Sequence, residues 1–533
     1  MIGRSAAPLL GWFAARRRRQ WDALWRDPGA SQQAALLRLV RAAQATEFGL
    51  VHGFGDVRCP ADYQARVPLG EYRDFRPLWE RSLGGEEDVA WPGRARDWVR
   101  TAGTTGDEKL VPLTPEALRS HRRGGWDAVL VAAERVGARA LTSGPLLVLG
   151  SSSALAPIGA GCRVGDLSGL AVNRVPACIR ERYAPDPEIA AIADWDARVE
   201  AMAAQAATQD LRLIAGMPPW LLVFFERVAR RLEATGRPVP ELGRCWPELR
   251  ALIHGGVGFA PYASVFDEWL GRRLERVEVY PASEAFVAVQ TERAGGLTLM
   301  LDYDVFYEFV PVEDLGRGRP RRHTVADLEL NRQYAVFVTT AAGLWSYALG
   351  DTVRFTHRDP LRLVVTGRTR QVLDAVGERV IGEEAERALL AACRRTEAEV
   401  VEYAVGPRWS ADGDARGGHE WLVEFRTPPR EPEEFGRILD ETLAVLNADY
   451  RTRRRDGGAL LAPRVTALPG GAFLRWMRAA GKLGDPHKVP RLGGRRAMAE
   501  ALLAAAGGGW PLPSHTGAAQ PSRIGHAAAT GRG

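Results

Sequence analysis

The run Thr101-Ala-Gly-Thr-Thr-Gly-Asp-Glu-Lys109 places two glycines, three threonine hydroxyls and one lysine within nine residues. Glycine reaches backbone angles closed to other residues, so Gly103 and Gly106 let successive amide N–H groups converge on one point. Thr101, Thr104 and Thr105 add hydroxyl donors, and Lys109 adds a positive charge. Such a loop suits the holding of phosphate, by charge-assisted hydrogen bonds worth roughly 1.5–3 kcal/mol each. It is not the common nucleotide loop. The Gly-x-x-x-x-Gly-Lys-Ser/Thr pattern is absent, and Leu110 follows Lys109, so no hydroxyl stands beside the lysine to hold magnesium.

The flanks say how the loop is positioned. Trp98-Val99 reads as a short strand entering it, and Leu110–Leu113 as an extended segment leaving it. A helix then begins, with Thr114 as N-cap and Pro115 at the first helical position. Helices are also predicted over 20–26 and 31–43, separated by Asp27-Pro-Gly29, and over a long alanine-rich stretch from Pro187 to Ala206. Leu211–Ala215, Leu249–His254 and Val277–Tyr280 read as buried strands, each followed by glycine, proline or polar residues. Strands alternating with helices make an α/β protein, and open α/β sheets place ligands at such strand ends. After about Thr356 the texture changes: a strand at 361–366 leads to a small α+β unit with a helix over 382–396, strands over 399–405 and 421–425, and a helix over 432–446. The expected organisation is a large domain over 1–366, a small one over 367–506 and a disordered tail over 507–533.

Composition excludes several other chemistries. The 533 residues carry 71 basic and 65 acidic groups, a net charge of +6 that is too small and scattered to imply a nucleic-acid partner. The basic runs at 16–19 and 451–455 read as solvated helix faces or ends. Five well-separated cysteines form no Cys-x-x-Cys pair, which suits a reducing cytoplasm and gives no zinc ribbon. There is no His-Glu-x-x-His spacing, no Gly-x-Ser-x-Gly elbow and no apolar run of membrane-spanning length, and the mildly apolar start, with its basic cluster after it, does not read as a signal peptide. No membrane partner is therefore expected, and nothing in the sequence sets the oligomeric state.

Six further islands stand in order along the chain: Gly165-Asp-Leu-Ser-Gly169, His254–Tyr262, Tyr280-Pro-Ala-Ser-Glu284, Gly343-Leu-Trp-Ser-Tyr-Ala-Leu-Gly-Asp351, Gly367–Glu378 and His487-Lys-Val-Pro-Arg491. Together with the loop they resemble the adenylate-forming superfamily that includes luciferases and acyl-CoA ligases. The Asp-Leu-Ser island, Tyr-Pro-Ala-Ser-Glu, Gly-Leu-Trp-x-Tyr before Gly-Asp, His419-Glu-Trp421 and Lys-Val-Pro-Arg narrow the resemblance. They point to the auxin-responsive acyl acid–amido synthetase family (Gretchen Hagen type, a bacterial-like member), over roughly residues 35–495.

The resemblance implies a large adenylate-forming domain with mixed sheets and helices and a small mobile α+β lid, hinged near Gly367–Gln371. It implies ATP and Mg²⁺ as cofactors and, as substrates, a carboxylic acid and an amino acid. Thr101, Gly103, Thr104, Thr105, Gly106 and Lys109 would hold the β- and γ-phosphates, and Ser283 the α-phosphate. Glu284 would place magnesium, Tyr280 would flank adenine, and Tyr347 would join the nucleotide contacts. Asp351 would accept both ribose hydroxyls, and Arg368 would hold the nucleotide from the domain junction. Lys488, with Lys482 as runner-up, would be the cation that meets the attacking carboxylate. That last need is physical: a carboxylate and an α-phosphate about 4 Å apart repel by about 4 kcal/mol at an effective dielectric of about 20. Offsetting that repulsion is worth about three powers of ten in rate.

His487 and His419 read as structural. Arg119, Arg122 and Arg123, on the helix after the loop, are candidates to face an acyl pocket. Two departures from the family pattern stand out: Ala102 where a second small hydroxyl residue is usual, and Pro486 at a position that is often glutamine. The alternatives are an acyl-CoA ligase sharing the adenylation step and a non-catalytic ATP- or acid-binding homologue.

Overall fold

A computed structural model describes residues 2–102, 108–172, 180–238, 241–369, 371–409, 416–455, 458–484, 488–493 and 496–511. Strands Asp97–Ala102 and Glu108–Leu113 pair antiparallel, with Thr101 opposite Lys109. They belong to a four-stranded sheet with Arg163–Gly165 and Ala156–Pro157. As expected, Thr114 then caps the helix Pro115–Val136: its hydroxyl oxygen accepts the Ala117 N–H at 3.1 Å and donates to the Ala341 carbonyl at 2.7 Å. One side chain thus starts the helix and ties it to the large sheet. Gly124 lets that helix lie close against the sheet, because a Cβ there would come within 2.3–2.6 Å of the Phe286 ring.

The large sheet has 11 strands among the described residues. Tyr183–Ala184, Leu146–Leu149, Leu213–Gly216, Ala251–Gly255 and Glu275–Pro281 run parallel. Phe286–Val289, Leu297–Leu299, Leu361–Arg368, Leu344–Arg358, Gln333–Thr340 and Val305–Pro311 extend it antiparallel. Buried aliphatic and aromatic side chains of these strands pack against the helix Pro115–Val136 and the N-terminal helix Ile2–Arg26. A second core gathers Leu36, Tyr63, Trp98, Trp345 and their neighbours around the helix Pro28–Ala43 and the phosphate-loop hairpin.

The chain divides into two compact units: Met1–Thr369 with Lys482–Lys488, and Arg370–Gly481 with Val489–Gly533. The segment Lys482–Lys488, read from the sequence as part of the small domain, clusters with the first unit. The second unit has a four-stranded sheet of its own, Glu399–Trp409, Gly417–Thr427, Arg464–Leu468 and Trp510–Pro511, covered by the helices Gly382–Thr396 and Pro432–Leu446. Both helices have the bounds expected from sequence. Trp510–Pro511 lies in the expected disordered tail yet pairs with Thr466 and Ala467; 512–533 fall outside the described residues.

Two helices differ from expectation. The N-terminal helix begins at Ile2, not Gln20, because Leu10, Ala14, Arg17, Trp21 and Trp25 recur at helical spacing and are buried together despite Pro8 and Gly11. The alanine-rich stretch is two helices, Pro187–Ala190 and Trp195–Ala206, because the Asp194 carboxylate accepts the Ala197 N–H and starts the second. Among the described residues, no helix is long and apolar enough to cross a membrane.

A buried charge cluster fixes the N-terminal helix. Arg17 Nη2 lies 2.6 Å from Asp127 Oδ2 and its Nη1 2.7 Å from Asp302 Oδ2, while the Tyr303 hydroxyl donates to Asp127 at 2.7 Å. Asp127→Ala leaves a buried guanidinium with one carboxylate instead of two. It is expected to cost about 3 kcal/mol, read as a lower denaturation midpoint, whereas the exposed Arg38→Ala, which loses only a surface pair with Asp304, costs under about 1 kcal/mol.

Candidate active site

The parallel strands Leu213–Gly216, Ala251–Gly255 and Glu275–Pro281 run in register, Gly216 beside His254 and Gly255 beside Val279. Their carboxyl ends therefore open at one place, where open α/β sheets hold ligands. Tyr280 stands at the end of the third strand and donates its hydroxyl to Asp351 Oδ2 at 2.6 Å. Arg368 faces Asp351 across the neighbouring strand pair and sets its Nε 3.1 Å from Asp351 Oδ1. Burial, and then the negative Asp351, push the Tyr280 phenol well above its ordinary range, so it stays a donor. Each oxygen of Asp351 holds one partner and keeps a lone pair for another.

Ser283 and Glu284 sit in the tight turn closed by Ala282 N–H donating to the Ala285 carbonyl at 2.9 Å. Burial raises the Glu284 carboxyl, and Asp351 raises it further. Its own backbone amide, Arg368 and Lys109 draw it back. Glu284, Asp351, Arg368 and Lys109 therefore share one electrostatic neighbourhood. Lys109 lies over the Tyr72 ring, 5.3 Å from its centroid, and Thr101 is buried opposite it in the hairpin. Gly103, Thr104, Thr105 and Gly106, between the two strands in sequence, lie outside the described residues, as do Pro486 and His487.

Lys488 comes back to this set of strand ends. Gly256, just past the second strand, has φ +85°, and a Cβ built there would meet Lys488 Cε at 3.2 Å, Lys488 Nζ at 3.3 Å and Met217 Cε at 3.4 Å. The left-handed backbone favours glycine there, and a Cβ would crowd the lysine lying over it. Lys488, rather than Lys482, is the lysine that reaches Gly256. Gly484 anchors the returning segment, since a Cβ there would collide with the Trp195 ring at 2.1 Å.

Tyr347 is a core residue, 2% exposed, with its ring edge-on to Phe75 at 5.6 Å and 5.9 Å from Trp79. Burial raises its phenol, and the charge of Glu284 adds to the rise, so it lies near the site without lining it openly. Arg119, Arg122 and Arg123 are all exposed; Arg119 pairs with Glu116 and Arg123 with Asp302. The buried residue of that helix turn is His121. Its ring feels the Ser283 backbone, which partly offsets the effect of burial, while its Nδ1 has no partner among the described residues. With Ser120, Glu284, Val305 and Thr340 it lines a small pocket. His254 is likewise buried, its ring 4.4 Å from that of Phe259. His254 opens the His254–Tyr262 island, which gives it no role of its own, and His121 has no motif around it; the only signal for His121 is its place on the buried stripe of the helix.

Burial lowers the imidazole of His121 to about 4 and that of His254 to about 3, where Arg276 adds to the effect. Both are neutral at pH 7. Unfolded, each binds a proton near pH 6.5, so their stabilising contribution is complete above that pH and is lost as pH falls toward 4. His254→Leu is expected to flatten the fall of melting temperature between pH 6.5 and 4; an unchanged slope would contradict a buried neutral imidazole.

The family models of the GH3 family match the chain in three parts: the N-terminal domain over residues 17–201, the central domain over 298–368 and the C-terminal domain over 383–497. Among curated proteins, it is 23% identical over 271 residues to an indole-3-acetic acid-amido synthetase, GH3.3, of Arabidopsis thaliana, covering 46% of this chain and 44% of that one. It is 26% identical over 329 residues to a probable indole-3-acetic acid-amido synthetase, GH3.6, of Oryza sativa subsp. japonica, covering 55% and 63%. The chain thus spans less than two thirds of these relatives' length. Among solved structures, the fold matches the GH3.15 acyl acid amido synthetase with a TM-score of 0.76 at 18% identity, covering 91% of this chain and 94% of that one. It matches 2-hydroxyisobutyryl-CoA ligase in the postadenylation state with a TM-score of 0.51 at 14% identity, covering 92% and 93%.

Proposed function

The chain belongs to the GH3 family, and on that premise we propose that it is an ATP-dependent acyl acid–amido synthetase. A carboxylic acid attacks the α-phosphate of ATP, pyrophosphate leaves, and the amine of an amino acid then attacks the acyl adenylate to release an amide and AMP. One observation supports this above the others: a lysine amine returns over Gly256 to the same strand ends that carry Tyr280, Ser283 and Glu284. A carboxylate approaching a phosphate needs a cation there.

The remaining residues divide the work by their chemistry. Asp351, oriented by Tyr280 and Arg368, offers its free lone pairs to the two ribose hydroxyls. Lys109, Thr101 and, between them in sequence, Gly103, Thr104, Thr105 and Gly106 receive the β- and γ-phosphates. Ser283 meets the α-phosphate, and the neutral His121 ring lies within electrostatic reach of the Ser283 backbone in that turn. Magnesium fits Glu284, whose carboxyl is raised by burial and would be eased by an added positive charge. No cluster of three or more metal-ligating side chains exists among the described residues, so most of the ion's ligands would be phosphate oxygens and water. When bound, it neutralises phosphate charge. The hinge is proposed just past Arg368, where the first unit ends at Thr369. The setting is proposed to be the cytoplasm.

Product identity tests the reading. With ATP, Mg²⁺ and a panel of aryl, indolyl and fatty acids, mass spectrometry is expected to find an amide only when amino acids are supplied. A thioester formed with coenzyme A, and no amide, would move the chain to the acyl-CoA ligases.

A further inference from the structure

The N-terminal helix Ile2–Arg26 is used by the fold on one side only. Leu10, Ala14, Arg17, Trp21 and Trp25 face inward and are buried. On the opposite side Leu9, Trp12 and Phe13 are 58%, 53% and 44% exposed, three large apolar side chains gathered within five residues. The Trp12 and Phe13 rings meet edge to face with centroids 5.1 Å apart. Arg16 and Arg19, at i+7 and i+10 from Leu9, continue the same face and are exposed, with the Arg16 guanidinium 5.3 Å from the Trp12 centroid. Arg17 and Arg18 are committed elsewhere, to Asp127 and Asp302 and to Glu134 and Glu292. The first acidic residue of the chain is Asp22.

A short aromatic ridge followed along one helix face by exposed arginines, with no ion pair to them among the described residues, is the arrangement that lies in the plane of a membrane interface. The rings enter the boundary between headgroups and acyl chains, and the cations meet anionic headgroups. We propose that this face of the N-terminal helix docks the protein on a bilayer carrying anionic phospholipid. A second copy of the chain fits less well, because a symmetric contact through this face would set the arginines of two copies against each other. The proposal departs from the expectation of no membrane partner, which rested on the absence of a spanning segment; a helix lying on the surface needs none.

Flotation of the intact protein with vesicles decides it. Binding is expected to phosphatidylcholine vesicles containing phosphatidylglycerol, to fall at high salt, and to be weak on phosphatidylcholine alone. Trp12→Ser/Phe13→Ser and Arg16→Ser/Arg19→Ser are each expected to lower the binding by about tenfold or more. Both sets lie on exposed positions outside the site, so ATP-dependent turnover stays as in the unaltered protein. Three results would overturn the proposal: no flotation with anionic vesicles, variants that float as well as the unaltered chain, or variants that instead convert a dimer to a monomer in sedimentation velocity.

Discussion

Lys488→Ala is expected to lower acid-dependent pyrophosphate release about a thousandfold, the rate equivalent of about 4 kcal/mol of carboxylate–phosphate repulsion left unopposed. ATP binding should change little, because the lysine acts where the acid meets the α-phosphate and not on the ribose or the outer phosphates. Lys482→Ala, on the same returning segment but not over Gly256, serves as the comparison and should remain close to the unaltered rate. Gly256→Val approaches the same defect from the other side: its backbone sits at φ +85°, and a side chain there would take the space of the Lys488 amine. A Lys488→Ala enzyme that turns over normally would remove this residue from the proposed chemistry.

Asp351→Ala is expected to lower kcat/KM for ATP by about a hundredfold or more, as the loss of two hydrogen bonds to a charged acceptor. The effect should appear mainly as a raised KM for ATP. The structure adds a second consequence. Without the carboxylate, the buried Tyr280 hydroxyl loses its acceptor and Arg368 its partner. Asp351→Asn keeps an acceptor oxygen in place and should be the milder variant, and Tyr280→Phe, which removes only the hydroxyl that orients Asp351, milder still. Equal KM values for ATP in all three would argue that Asp351 is a structural residue closing the strand pair to Arg368.

Much of the site lies in short islands, because phosphate and ribose recognition need particular residue types at fixed spacing on a turn. Tyr280, Glu284, Asp351 and Arg368 are separated by up to 88 positions, yet strand pairing brings them into one field. The helices at 382–396 and 432–446 were legible because each has a Pro, Gly or capping acid at its start and a clean apolar stripe. What was not legible depends on tertiary contact. The first half of the helix Ile2–Arg26 contains Pro8 and Gly11 and becomes helical through burial of Leu10 and Ala14. Tyr347 carries a motif but spends its ring on Phe75 and Trp79. His121 carries none, and its place beside the Ser283 backbone follows only from the fold. The return of Lys482–Lys488 to the first unit could not be read from local pattern at all.

Isotope exchange between pyrophosphate and ATP tests the central claim most directly, because it reads formation of the acyl adenylate without needing the acceptor. Exchange that depends on a carboxylic acid in the panel, and that is lost in Lys488→Ala while ATP binding persists, is the predicted result. ATP binding without acid-dependent exchange across aryl, indolyl and fatty acids would contradict adenylation and favour a protein that binds the nucleotide without using it.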